Sequence, residues 1–192
     1  MAMRTILRAG VTLALLLATN VAAALTLDEL MRELRTVAER HATFEETKQI
    51  ALLNGPLVRR GTLDYGAPGR LQMRVESPYF ERLDIAGDEL TIERRSGVSR
   101  VTLSSQPALA AWVESLRATL AGDGAALQAR FEVTLGGNLA EWRLDLVPRE
   151  PTLRAIVARV AIAGRAAQVL RFDVEEARGD STRVVISPRA PR

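Results

Sequence analysis

The stretch LVRRGTLDYGAPGRLQMRVESPYFERLDIAGDELTIERRSGVSRVTL, residues 57–103, decides the fold. It consists of short segments in which apolar and polar residues alternate, separated by turn residues such as Gly66-Ala67-Pro68-Gly69, Ser77-Pro78 and Gly87-Asp88. Alternation with a period of two predicts half-buried β-strands, and connections this short predict hairpins. We therefore predict an antiparallel meander. Its strands span residues 44–53, 57–65, 71–76, 79–85, 89–94 and 98–103.

Helical patterns flank this meander on both sides. Thr26 and Glu29 make a capping box ahead of an apolar stripe, which predicts an amphipathic helix over Leu27 to Arg40. Between Pro107 and Gly122 the apolar residues return to helical spacing, so we expect one or two helices there. Strand patterns resume afterwards at residues 131–135, 139–147, 153–163, 168–177 and 181–186. The predicted fold is mainly β (α+β), with about eleven strands.

An antiparallel sheet of this size curls on itself and encloses space. We predict a curled sheet whose helices form a lid over an apolar ligand cavity. Alternation predicts the wall residues, and helical spacing predicts the lid residues. The candidate ligand-binding residues are Leu63, Tyr65, Leu71, Met73, Leu83, Leu90, Ile92 and Trp142 on the sheet, and Leu109, Trp112, Val113 and Leu116 on the lid. The alternative is that these same residues pack as a closed core.

The N-terminal segment predicts export from the cytoplasm. Arg4 and Arg8 flank an apolar run that leads into the small residues Val21-Ala22-Ala23-Ala24. This order is typical of a signal peptide, here residues 1–24, with cleavage before Leu25. The apolar run is shorter than the ~20 residues of a membrane-spanning helix. We expect residues 25–192 to form a single domain in the periplasm.

Composition narrows the possible partners. Cysteine is absent, so no disulfide and no lipid-modified cysteine is expected. Of the 26 basic residues, Arg4 and Arg8 belong to the predicted signal peptide, and the remaining 24 nearly balance 23 acidic residues. No basic patch interleaved with aromatic residues is present, which argues against a nucleic-acid partner. We expect a monomer.

The sequence offers little for catalysis. His41 is the only histidine, and we expect it on the surface beside the first strand. Glu45-Glu46 and Glu175-Glu176 place neighbouring carboxylates on opposite faces of a strand, and we expect these pairs to be solvated. No serine lies in a nucleophile elbow. The chain is therefore not expected to be an enzyme, and neither a cofactor nor a metal site is predicted.

Several segments resemble the periplasmic outer-membrane lipoprotein carriers, the LolA family. The resemblance lies in His41-Ala42-Thr43-Phe44-Glu45-Glu46-Thr47-Lys48, in Gly61-Thr62-Leu63-Asp64-Tyr65 followed by Pro68 and Leu71, and in Pro78 followed by Leu83, Ile85, Gly87-Asp88 and Leu90. It implies a half-open barrel closed by helices. It also implies a carrier that takes an acylated lipoprotein from an inner-membrane ABC-type transporter to an outer-membrane acceptor.

One position departs from the family pattern. Where the family has a lid-latching arginine before the third strand, this chain has Gly66-Ala67-Pro68, so Ala67 occupies the latch position. The resemblance then suggests a specialised relative with a less firmly closed lid. Two alternatives remain open. The chain could carry another apolar or acylated biosynthetic product, or it could be a lipid-sensing protein-interaction module.

Overall fold

A computed structural model describes residues 24–67 and 69–189. Within these ranges the chain forms one antiparallel sheet, four α-helices and a short 3₁₀-helix, Leu103–Ser105. The strands are β1 Glu39–Gln49, β2 Leu57–Gly66, β3 Arg70–Ser77, β4 Glu81–Ala86, β5 Glu89–Arg94, β6 Gly97–Thr102, β7 Phe131–Asn138, β8 Glu141–Pro148, β9 Val157–Arg165, β10 Gln168–Glu176 and β11 Ser181–Arg189. The helices are α1 Leu27–Arg35, α2 Pro107–Ala121, α3 Gly124–Arg130 and α4 Pro151–Arg154.

The sheet has the order β6-β5-β4-β3-β2-β1-β11-β10-β9-β8-β7. Neighbouring strands in the sheet are consecutive in the chain in every pair except β1–β11, and this pair joins the two runs of hairpins. The sheet is therefore open, with β6 and β7 at its edges. This arrangement confirms the predicted fold class of an incomplete antiparallel barrel of eleven strands with helices.

The first helix begins where the sequence predicts and ends earlier. Thr26 and Glu29 form the full capping box, with each side chain bonded to the other residue's backbone N–H. The helix ends at Arg35, not Arg40, because the following residues enter β1 and pair with β2, beginning at Glu39 opposite Gly66. The predicted first strand, 44–53, was therefore displaced by about five residues, since pairing with two neighbouring strands outweighs the helical pattern of residues 36–40.

A second boundary also differs from the prediction. Residues 153–163 were expected to form one strand, but Pro151 begins a short helix and the strand starts at Val157. Proline suits the first helical position because its missing N–H has no partner there in any case. The side chain of Leu153 in this turn is buried.

The lid helix α2 follows its predicted limits closely. Pro107 occupies its first turn, and Gly122 ends it in the left-handed conformation with a φ of 65°. Gly122 lies against α1, where a Cβ atom would meet the carbonyl oxygen of Met31, so this close approach requires glycine. The helix packs on the concave face of the sheet against β9 and β10.

Two further observations concern the N-terminal segment. The predicted signal peptide lies outside the described residues except for Ala24. Within the part of the chain that the structure covers, no helix is both long enough and apolar enough to cross a membrane.

Candidate functional site

Two cavities lie on the concave face of the sheet, one near each end of the lid helix α2. The inner cavity, near the C-terminal end of α2, has a volume of about 200 Å³. Its wall is mostly apolar, and its most prominent polar residue is Arg40. The lining residues are Val37, Glu39, Arg40, His41, Ala42, Leu63, Tyr65, Leu116, Leu120, Ala167, Gln168, Val169, Ile186, Pro188 and Arg189.

The outer cavity, near the N-terminal end of α2, is larger, at about 440 Å³. One wall is formed by the first two turns of α2 and by apolar strand residues, and the other by charged residues near the strand ends. Its lining residues are Glu46, Lys48, Arg59, Met73, Leu83, Gln106, Pro107, Ala108, Leu109, Trp112, Ile156, Val174, Glu176 and Thr182.

The predicted ligand-binding residues divide into three groups. Leu63, Tyr65 and Leu116 line the inner cavity. Met73, Leu83, Leu109 and Trp112 line the outer cavity. The remaining five, Leu71, Leu90, Ile92, Val113 and Trp142, line neither, and all except the half-buried Ile92 are fully buried in the core between the sheet and the lid.

The packing around the two tryptophans shows this division clearly. Trp142 is only 1 % exposed and donates its indole N–H to the carbonyl of Ala166 at 2.9 Å. Trp112 is half-buried and meets Phe172 edge to face, with ring centroids 5.7 Å apart. Phe172 is itself fully buried, so the second turn of α2 is anchored in the core beside the outer cavity.

The outer cavity contains a buried ionic network that sequence reasoning missed. Arg59 donates to both carboxylate oxygens of Glu46, at 2.7 and 2.8 Å, and to Glu81 at 3.0 Å, while Arg94 donates to Glu81 at 2.6 Å. Glu46 and Glu81 are only 5 % and 4 % exposed, so the expectation of a solvated Glu46 is wrong. Burial alone would lower the pKa of Arg59, but Glu46, together with the charges of Tyr79 and Glu81, raises it.

Arg40 connects four separate segments at the inner cavity. Its Nη1 atom donates to the carbonyls of Val37 and Leu120, both at 2.9 Å. Its Nη2 atom donates to the carbonyls of Leu34, at 2.6 Å, and Ala167, at 3.4 Å. One side chain on β1 therefore holds the end of α1, the segment after it, the last turn of α2 and the β9–β10 turn. Burial lowers the pKa of Arg40.

Tyr65 lies beside Arg40 in the same cavity. The Arg40 guanidinium stands over the Tyr65 ring, 5.7 Å from its centroid. Tyr65 is 4 % exposed, and burial raises the pKa of its hydroxyl. The positive charges of Arg40 and Arg117 lower this pKa, but by less than burial raises it. Within the described ranges, the Tyr65 hydroxyl and Arg40 Nε are buried without a hydrogen-bond partner.

Ala67, the predicted latch position, is exposed in the β2–β3 turn, and its N–H donates to the carbonyl of Ala38 at 3.1 Å. Pro68, which follows it, lies outside the described residues. The lid is held by arginines from other positions. Besides Arg40, Arg117 on α2 donates to the carbonyl of Gly87 in the β4–β5 turn at 2.9 Å.

Of the groups considered for catalysis, His41 lies at the rim of the inner cavity, and Glu46 and Glu176 line the outer one. His41 is exposed and lies 2.6 Å from the Asp64 carboxylate. Over residues 24–67 and 69–189, no three histidine, aspartate or glutamate side chains are grouped closely enough to hold a metal ion.

Comparison with known families agrees with this arrangement. A family described as outer membrane lipoprotein carrier protein LolA-like matches residues 19–191. The chain belongs to the LolA-like family. This membership confirms the resemblance noted in the sequence, and the LolA-like family is one of carrier proteins. No curated protein sequence matches the chain.

Several solved structures match most of this LolA-like chain at low identity. A LolA superfamily protein from Nitrosomonas europaea is 10 % identical, covering 88 % of this chain and 96 % of its own, with a TM-score of 0.44. The lipoprotein LppX of Mycobacterium tuberculosis is 9 % identical, covering 86 % and 96 %, with a TM-score of 0.45. LprF from Mycobacterium bovis is 12 % identical, covering 86 % and 94 %, with a TM-score of 0.39.

Proposed function

We propose that this protein is a periplasmic carrier, not an enzyme, and that it shields acyl chains of a lipoprotein or a related lipid beneath the lid helix. The observation that supports this function is the pair of apolar-walled cavities on the concave face of a LolA-like sheet, one near each end of α2, with buried core residues between them. The proposed route runs from an inner-membrane ABC-type transporter to an outer-membrane acceptor, after removal of the signal peptide 1–24.

The volume of the inner cavity supports a carrier that must open to load. Pockets that bury a small-molecule ligand have volumes of about 300–1,000 Å³. The inner cavity, at about 200 Å³, lies below this range, so the closed form does not enclose a whole long acyl chain there. Full loading requires α2 to move away from the sheet and join the two cavities into one.

The energetics of burial also favour a carrier with a movable lid. Burial of an acyl chain contributes about 0.8 kcal/mol per methylene, so two long chains stabilise a complex by well over ten kcal/mol before ordering costs. Such a ligand does not leave unaided at a useful rate. Release therefore needs a reopened lid and a second apolar site on the acceptor.

Native mass spectrometry tests this function directly. Protein recovered from the periplasmic fraction without detergent should carry acyl-containing mass. Ala42→Leu adds three carbons to the wall of the inner cavity, so we expect bound mass to fall roughly tenfold or more while stability is unchanged or improved.

Thr43→Leu is the matched control, because Thr43 is the next residue on β1 and its side chain points to the opposite face. This variant should retain the bound mass. Equal bound mass in the two variants would place the acyl chains elsewhere, and recovery of an uncleaved chain in the membrane pellet would contradict the periplasmic assignment.

A further inference from the structure

The exposed apolar side chains are concentrated at one end of the sheet. Among residues 24–67 and 69–189, eight large apolar side chains are exposed to solvent. Two of them lie elsewhere, Leu139 in the β7–β8 turn at the opposite end and Val185 within β11. The other six lie at the end that carries the β1–β2 loop, and we call them the apolar end surface: Leu52, Leu53, Leu57, Tyr79, Val98 and Ile156.

The strand topology brings these residues to the same end. Consecutive antiparallel strands alternate in direction, so the β1–β2, β3–β4 and β5–β6 connections share one end of the sheet. The pairing of Gln49 with Ser181 places the β10–β11 turn there as well. The pairing of Glu176 with Val157 adds the segment that contains Ile156. The apolar end surface therefore lies along one rim of the sheet.

The β1–β2 loop carries the most exposed of these side chains and is ordered by hydrogen bonds. Asp180 in the β10–β11 turn accepts the N–H of Ala51 at 2.9 Å, and the N–H of Leu53 donates to the carbonyl of Ile50 at 2.9 Å. Leu52, between the two bonded residues, is 94 % exposed. A leucine that an ordered loop holds in water contributes nothing to the core, so its position indicates a contact surface.

The apolar end surface borders the outer cavity. Ile156 belongs to this surface and also lines that cavity. Lys48 and Thr182, which line the cavity too, lie one residue from the ends of β1 and β11 at this rim. A partner that covers the apolar end surface therefore also faces the outer cavity.

The form of this surface favours a lipid bilayer as the partner. Its side chains project from four separate strand connections, and a soft interfacial layer can receive them without a matching pocket for each. The loop from Gln49 to Leu57 contains no charged residue that would oppose insertion. Tyr79 is of a residue type that is enriched at membrane–water interfaces.

Two arginines beside the apolar end surface match the charge of lipid phosphates. Arg95 in the β5–β6 turn and Arg178 in the β10–β11 turn lie on either side of the β1–β2 loop and are exposed. In the part of the chain that the structure describes, neither has a carboxylate partner, and the nearby Glu93 and Glu176 pair with other basic residues. This uncompensated positive charge is complementary to anionic phospholipid head groups.

We propose that the apolar end surface inserts into the interfacial layer of a phospholipid bilayer that contains anionic lipid. Leu52 lies deepest, Arg95 and Arg178 meet the phosphates, and the outer cavity faces the membrane. This inference goes beyond the proposed carrier function and does not depend on it, because membrane contact is measured on vesicles without any cargo.

Flotation with vesicles tests the proposal. Protein from the periplasmic fraction should float with vesicles of phosphatidylethanolamine and phosphatidylglycerol. The double variant Leu52→Ser, Leu53→Ser should lower the binding constant by roughly tenfold or more, because two side chains lose the burial that lipid supplies. Leu139→Ser is the matched control, since Leu139 is 42 % exposed at the opposite end of the sheet.

The control variant should float as the unmodified protein does. All three leucines are exposed, so urea denaturation should be the same in both variants. Equal losses of flotation in the two variants, or no flotation of the unmodified protein, would overturn the proposal and leave the carrier function standing.

The charge contribution has its own test. The double variant Arg95→Gln, Arg178→Gln should weaken binding to the phosphatidylglycerol vesicles by about fivefold per arginine at low salt, and should leave binding to phosphatidylcholine vesicles unchanged. Arg165→Gln, at the other end of the sheet, is the matched control. The same loss on both kinds of vesicle would overturn the role of anionic lipid.

A fluorescent label separates insertion into lipid from docking on a protein. Because the chain contains no cysteine, Leu52→Cys provides a single attachment site for the environment-sensitive dye NBD. The emission of this label should increase several-fold and shift to shorter wavelength when vesicles are added, whereas a label at Leu139→Cys should not respond. Vesicle binding without a response at position 52 would overturn insertion and would assign the apolar end surface to a protein partner.

Discussion

The two ends of the lid helix α2 are held in different ways. At its C-terminal end, Arg40 and Arg35 donate to the carbonyls of Leu120 and Gly122, and Gly122 lies directly against α1. At its N-terminal end, the cap residue Gln106 makes no side-chain hydrogen bond to the helix. Within the described part of the chain, residues 107–112 have no side-chain hydrogen bond to the sheet.

This difference indicates how the lid opens. Side-chain bonds must break before the C-terminal end of α2 can leave the sheet, whereas the N-terminal end is held by apolar contacts such as that of Trp112 with Phe172. We therefore expect α2 to lift at its first turns and to turn about its last one. The outer cavity would widen first, and the inner cavity would open only when Arg40 releases Leu120.

The largest effect should follow from breaking the ionic network at the outer end. Arg59→Met leaves Glu46 buried without a charged partner, while Glu81 keeps Arg94, and the unpaired carboxylate should reduce the free energy of unfolding by about 3–5 kcal/mol. Urea denaturation followed by circular dichroism measures this loss.

Arg60→Met is the matched control for that experiment. Arg60 is the next residue on β2 and pairs with Glu45 on the solvent-exposed face, where an ion pair contributes about 0–1 kcal/mol. A similar loss of unfolding free energy in the two variants would mean that the buried network stabilises the protein no more than a surface ion pair does. Apolar packing alone would then hold the strands at the outer cavity.

A smaller loss of stability should follow when the hydrogen bonds that hold the C-terminal end of α2 are removed. Arg40→Met removes the donors to four carbonyls, and we expect a loss of about 2–3 kcal/mol. Hydrogen exchange at the last turn of α2 should accelerate until it matches the first turn. Arg32→Met, in an exposed position on α1, should leave both turns unchanged. Faster exchange at the last turn than at the first in the unmodified protein would reverse the expected direction of opening.

The smallest effect is spectroscopic and reports on the outer end alone. Trp142→Phe leaves Trp112 as the single tryptophan. Because Trp112 is half-buried beside the outer cavity, we expect its emission to shift to shorter wavelength when palmitate is added. An emission maximum that is already at short wavelength and does not respond to palmitate would show that this part of α2 is ordinary core.

The sequence was sufficient for the features that depend on local residues. The capping box at Thr26, the proline at the start of α2 and Gly122 at its end each act within one or two turns of the chain, and each was predicted. Turn residues likewise located the hairpins of the meander. These local signals, combined with the period of two, were enough to predict the open antiparallel sheet.

The candidate site was harder to predict because it depends on distant partners. Glu46 lies on the same face of β1 as the buried Phe44, and only the register of the neighbouring strands brings Arg59 and Glu81 to it. Arg40 follows a helical pattern and resembles a surface residue in sequence. Its acceptors are contributed by segments up to 127 positions away. Seven of the twelve predicted ligand-binding residues line one of the two cavities, and their role in binding stays a prediction. The division into two cavities follows from how α2 packs.

The open order of the sheet has a consequence for the size of what can be carried. The edge strands β6 and β7 are not paired with each other, and the chain that joins them is the lid itself, α2 and α3. Lifting the lid therefore breaks no hydrogen bond between paired strands. The edge strands β6 and β7 can move apart while every hairpin stays intact. The size of the ligand is therefore limited by the length of the segment that joins β6 to β7, and not by the circumference of a closed barrel.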